Sequence, residues 1–219
     1  MVQPPAASYQ QWAWLSGHMQ RRIALPEPEL GDGTGNWKLE TGDWQTRTEV
    51  RMPHPLVDQL RFTHTEWLRG LEGISEQDGA RHLGPMNSIS WTVGHLAWHE
   101  QRSWLQRPQG LLPFPKLVEI CAYGAPMSTP SLSEMKALWA QVTIMADPWL
   151  DGLTDRDLLA DLLLEGEPVG QSIGSVMRRV TYHYWYHIGE IQATRQMLGH
   201  SDLPEYVGDL EELAPYRPE

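Results

Sequence analysis

Four stretches of the chain place apolar residues at the spacing of an α-helix. Pro55 to Ile74 puts Leu56, Leu60, Thr63, Trp67, Leu68 and Leu71 along one face, and Pro55 suits a first-turn position. Asn87 to Leu105 carries Trp91, His95, Trp98, His99, Arg102 and Trp104, with Asn87 or Ser88 as its N-cap. Ser131 to Leu153 shows a stripe of Leu138, Val142, Met145 and Trp149. Its Ser131 and Glu134 have the spacing of a capping box, and Pro148 marks a place to kink. Ser175 to Gly199 has no proline and repeats Val176, Val180, Tyr184, Ile188, Ile191, Thr194 and Leu198 before Gly199 stops it. Between the second and third stretches, Gln106 to Pro130 is rich in proline and glycine and reads as a long crossover, with a short helix near Leu117 to Tyr123. Four amphipathic helices with one long crossover predict an all-α four-helix bundle.

The remaining segments read differently. Ser8 to Leu25 can form a helix with Trp12, Leu15, Met19 and Ile23 on one side. Pro26, Pro28, Gly31, Gly33 and Gly35 then interrupt regular structure, and Trp37 to Arg51 alternates weakly, as an extended segment or hairpin does. Residues 1–52 are therefore expected to be an accessory N-terminal appendage, 53–200 the bundle, and 201–219 a polar tail docked on its surface. Residues 154–170 read as a connection broken by Gly166-Glu-Pro-Val-Gly170.

Two of the helices carry histidine pairs. His183 and His187 are four residues apart, with Glu190 three further on. Residues one turn apart on a helix share a face, so two such imidazoles can reach one metal ion. The motif is short, and a pair of core histidines on a Tyr/Trp-rich helix is its commoner meaning. The second helix alters the balance, because His95 and His99 are also one turn apart. A histidine there, facing His183 and His187 across a bundle core, completes a set of three nitrogen ligands. Gly94 lowers helix stability by about 1 kcal/mol against alanine, so its presence beside His95 implies close packing or room for a bound group. His64 lies near the core face of the first helix, where a satisfied core histidine is the default. His54 and His82 have no evident partner.

Composition narrows the setting. A formal charge of -11 argues against nucleic acid and anionic membrane as partners. The single cysteine, Cys121, excludes a disulfide within the chain and fits a reducing cytoplasm; it reads as a small buried apolar residue. No apolar run approaches the roughly eighteen residues of a membrane span, and no basic, then apolar leader is evident at the N-terminus.

Trp91-Thr-Val-Gly-His95-Leu-Ala-Trp-His-Glu100 and His183-Tyr-Trp-Tyr-His187-Ile-Gly-Glu190, the latter followed by Arg195 and Leu198-Gly199, resemble the DinB-like family, also described as DinB/YfiT-like metalloenzymes. The resemblance spans about Pro55 to Gly199 and leaves the first 52 residues uncovered. The same fold serves as the metal-binding domain of ergothioneine-type sulfoxide synthases and of mycothiol-dependent maleylpyruvate isomerases. It implies a bundle with one metal ligand from the second helix and two from the fourth, which here are His95, His183 and His187. His99 falls where relatives often differ and takes no ligand role from the resemblance. No oxygenase domain accompanies the bundle, so the sulfoxide synthase reaction is not implied.

Three neutral imidazoles on rigid helices leave at least one coordination position open. The expected cofactor is a divalent metal ion, zinc by default, with Ni, Fe, Cu or Mn as alternatives that nitrogen ligation also admits. Glu190 is a fourth ligand, an acceptor or base behind a ligand, or a surface acid. His99 is a pocket residue or a packing residue. With Glu190 they form the candidate catalytic pair. The expected function is that of a metal-dependent enzyme acting on a small molecule, either a transferase or isomerase using a low-molecular-weight thiol, or a hydrolase. The competing expectation is a non-catalytic, stress-associated metal- or small-molecule-binding bundle. A homodimer is compatible with either.

Overall fold

A computed structural model describes residues 52–216. Residues 1–51 of the appendage, with its expected helix, lie outside the described residues. Within them the chain is mostly helical, with a small two-stranded sheet. The four long helices are α1 (Pro55–Gly70), α2 (Ile89–Glu100), α3 (Leu132–Asp151) and α4 (Ile173–Met197).

Each helix begins at a side chain that satisfies an otherwise unpaired amide. His54 does so for α1, its Nδ1 accepting from Leu56 N at 3.1 Å while Pro55 occupies the first turn. Ser88, Ser131 and Ser172 cap α2, α3 and α4. The expected Ser131–Glu134 box forms only in part. Ser131 accepts from Glu134 N, but the Glu134 carboxylate pairs with Lys116, and Glu76 from a short helix takes the amides of Leu132 and Ser133. α4 closes at Gly199 (φ 82°), with His200 N donating to Arg195 O and Gly199 N to Gln196 O, a Schellman ending.

α2 packs against α3 and α4, and α1 against α4. The core holds Leu60 and Trp67 of α1, Val93 and Leu96 of α2, Met135, Trp139, Val142 and Leu150 of α3, and Val176, Val180, Tyr184 and Ile191 of α4. The stripe expected on α3 is therefore rotated: Met145 is exposed, Leu138 and Trp149 lie at the margin, and Trp139 points inward. Trp139 gains there a partner that apolar spacing cannot anticipate, since its Nε1 donates to the buried Tyr184 hydroxyl at 2.6 Å.

Two features depart from the expected all-α connectivity. The segment written off as a connection contains an antiparallel hairpin, β1 (Asp161–Leu164) and β2 (Glu167–Ser172). Glu165 and Gly166 both have positive φ (53° and 85°), the tight turn that suits a two-residue hairpin. Glutamate is an uncommon residue in that turn, which hid the signal. In addition, α2 does not end at Glu100 but passes into a π-helical stretch, Gln101–Gln106, and a last turn, Arg107–Gln109.

The crossover is anchored rather than loose. Gln101 holds Phe114 by both main-chain groups, Trp91 Nε1 donates to Ile120 O, and the short helix Pro115–Cys121 packs on α2. Gly94 permits that packing: a Cβ there would stand 2.4 Å from Cys121 Sγ and 2.6 Å from Met135 Sδ. Of the two meanings of Gly94, close packing is thus the one observed. Gly94→Ala is expected to destabilise the protein by about 1–3 kcal/mol in urea unfolding, since overpacking exceeds the gain in helix propensity. A variant as stable as the parent would show that Cys121 and Met135 yield freely. The C-terminal segment is docked as expected, through Gly208 N to Glu66, Arg69 to Glu205 O and Gln192 to Pro204 O.

Candidate metal centre

α2 and α4 bring His95, His183 and His187 together, with one ring nitrogen of each lying within 4.8 Å of the others. His95 and His187 are buried and His183 is half-buried. Their ring centroids are 4.5–5.4 Å apart. Trp91, one turn before His95, stacks on its ring at 4.8 Å and 13°.

Hydrogen bonds decide which nitrogens face inward. His95 Nδ1 lies 2.9 Å from the Cys121 carbonyl, which can only accept, so the proton sits on Nδ1 and Nε2 keeps its lone pair. His187 Nδ1 lies 2.6 Å from Glu190 Oε2. That bond holds the Glu190 carboxyl below its ordinary pKa, so a carboxylate accepts from Nδ1–H and again leaves Nε2 free. His187 Nε2 faces His183 Nε2 at 3.0 Å, near the about 3.3 Å between two nitrogens of a tetrahedral zinc site. His183 Nδ1 is buried with no partner. Imidazoles fixed through Nδ1 by a carbonyl and a carboxylate are the usual support for metal-binding histidines. By donor type, proximity and tautomer, the three residues fit a metal ion.

Glu190 therefore stands behind His187, the second of the roles open to it, and the hydroxyl of Tyr186 also lies near it. His99 is brought to the site: its ring is 4.6 Å from that of His183, and its buried Nδ1 has no partner. His99, His183, Ser175, Arg178, Arg179 and Tyr182 line a surface cleft of about 620 Å³. Cys121 is buried, and burial raises its thiol to about 12, so it packs rather than reacts; its contribution to the site is its carbonyl.

Three residues of the cleft and its surroundings escaped the reading of spacing alone. Arg178 and Arg179 lie on the cleft, and Arg179 stands four residues before His183, a signal available in the chain. Glu100, wholly buried, holds His64 Nε2 at 2.7 Å behind the site. His64 is thus a satisfied core histidine, as expected. His82 bonds Met86 O and Thr129, and His54 caps α1 and meets Asp155.

Burial lowers His95 and His183 to about 4 and His99 to about 3. Folding therefore holds them neutral where the unfolded chain, titrating near 6.5, binds protons. That stability is fully present above about pH 6.5 and is lost as pH falls toward 4. The urea midpoint of the metal-free chain is expected to fall between pH 7.5 and 5, and His99→Gln to flatten the fall. An unchanged midpoint over that range would contradict the burial of these rings.

No helix among the described residues is long and apolar enough to cross a membrane. No curated protein matches the chain. Residues 59–191 match the DinB superfamily, and the chain belongs to it.

Proposed function

We propose that this member of the DinB superfamily is a metal-dependent enzyme, with one divalent ion held by Nε2 of His95, His183 and His187. The observation that carries the reading is the convergence of those nitrogens while the opposite nitrogens of His95 and His187 are already engaged. A bound ion supplies Lewis acidity and lowers the pKa of a water or thiol beside it. The four long helices form a four-helix bundle over residues 53–200, with 1–52 accessory and 201–219 a tail.

The chain's own residues have separable roles. Cys121 O and Glu190 orient two imidazoles and raise their basicity as ligands. Trp91 shields one face of His95. His99 is neutral at physiological pH and presents a hydrogen-bonding ring at the cleft, beside His183. The cleft admits a small molecule from solvent, which favours an enzyme over a sealed binding module.

The reaction we assign first is transfer or isomerisation with a low-molecular-weight thiol as partner; hydrolysis of a small electrophile is second, favoured by the same solvent access. Zinc is the expected ion. The cobalt-substituted chain distinguishes the two. Adding 2-mercaptoethanol at neutral pH is expected to produce a sulfur-to-cobalt charge-transfer band in the near ultraviolet, lost in a His183→Ala variant that expels the ion. A cobalt-loaded chain giving no band with any small thiol removes the thiol reading and leaves hydrolysis.

A further inference from the structure

The face of α4 that carries His183 also carries Ser175, Arg178, Arg179 and Tyr182, and these five line the cleft together with His99. Arg179 precedes His183 by four residues, so the two side chains share a face about one turn apart, about 6 Å along the helix axis. Both arginines are exposed, and among the described residues neither forms an ion pair, whereas Arg61 and Arg69 are held by Asp147, Asp151 and Glu66. Two more guanidinium groups act on the same place: Arg102 and Arg107 both raise the positive potential at His99, and Arg102 lies over Trp98 with its carbon 5.4 Å from the ring centroid.

This concentration of cations runs against the rest of the chain. The sequence has 28 acidic residues to 17 basic ones, yet no carboxylate lines the cleft. Glu190, the acid closest to the triad in function, is taken up by His187. Ser175 lies in the first turn of the 25-residue α4, so the positive end of that helix dipole adds to the field. Solvated arginines repel one another, and two left unpaired together at a concave surface suit an oxyanion that takes hydrogen bonds from both forks.

We propose that Arg178 and Arg179 bind a carboxylate or phosphate group of a small anionic substrate and hold the rest of it against the three histidines. The inference deepens the reading of the triad as the reacting centre and rests on it for the word substrate; anion binding by the cleft does not depend on metal. The arginines are positioning and specificity residues, Arg179 set one helical turn before His183 and Arg178 one residue earlier.

Isothermal titration of the full chain, stripped of metal and loaded with one equivalent of zinc, tests this with succinate, inorganic phosphate and the neutral succinamide at low ionic strength. At least one oxyanion is expected to saturate both forms, and succinamide neither. Arg178→Gln/Arg179→Gln is expected to weaken that binding at least tenfold, with helical content and metal stoichiometry unchanged, while the double lysine variant retains part of it. Preference for succinate or phosphate identifies the oxyanion. Equal affinity in parent and glutamine variant overturns the proposal, as does binding of no oxyanion. Binding only to the zinc-loaded form, indifferent to the arginines, also overturns it, because the anion is then a metal ligand. If the chain takes up no metal yet loses anion binding with the arginines, the cleft assignment stands and the three-histidine reading falls.

Discussion

Replacing His183 and His187 together by alanine is expected to abolish stoichiometric metal binding while leaving the chain helical. The two residues come from one turn of α4 and face each other through Nε2 at 3.0 Å, so removing both leaves His95 as the single remaining ligand. Loss of a group that merely orients a ligand costs about 10–100-fold in affinity; loss of two ligands exceeds that several times over. The fold is expected to tolerate the change, because His187 is buried and His183 half-buried, and covering polar rings is unfavourable in the absence of metal. Metal content by elemental analysis and the upward shift of the melting temperature on adding zinc measure the effect. Parent protein should hold one equivalent and gain stability by mass action; the double variant should do neither. One equivalent retained in the variant would remove these residues from the site.

The second large effect lies at the buried pair of His64 and Glu100. Glu100 is wholly buried next to His99 in sequence, and its Oε1 meets His64 Nε2 at 2.7 Å, while Oε2 has no hydrogen-bond partner. Tyr184, which accepts from Trp139, lies near enough that Glu100 helps hold its hydroxyl well above the usual range, after burial itself. Truncating His64 to alanine strands a buried carboxyl group and is expected to cost about 3 kcal/mol or more. His64→Leu/Glu100→Met, which removes both members, should recover at least half of that, since apolar residues of similar volume replace a buried pair at little cost. Urea unfolding of the single and double variants checks this. A single variant as stable as the parent would show that the pair holds nothing together.

Helices and candidate ligands were legible in the chain for different reasons. Apolar spacing located all four long helices because each buries one face, and Ser88 and Ser131 marked the starts of α2 and α3, while α4 begins three residues before the expected Ser175, at the cap Ser172. It misplaced the stripe of α3 because Trp139 rather than the neighbouring Leu138 turns inward, where its Nε1 meets the Tyr184 hydroxyl, a partner from another helix. The hairpin escaped because its turn uses Glu165-Gly166 where asparagine or aspartate is usual. His95, His183 and His187 were visible as one-turn spacings on two helices. The carbonyl of Cys121 was not, because a main-chain group 26 residues away leaves no mark in residue type. Arg178 and Arg179 were visible as letters, but only the cleft gives their unpaired charge a meaning.

The central claim is that three imidazoles hold one ion and leave a position beside the cleft. X-ray absorption at the zinc edge of the full chain, loaded with one equivalent, tests it most directly. Three imidazole nitrogens are expected at about 2.0–2.1 Å, with their outer-ring scattering, and one further light atom that small ligands exchange. A spectrum with fewer than three imidazoles, or with a fourth protein ligand that no added small molecule displaces, would contradict it.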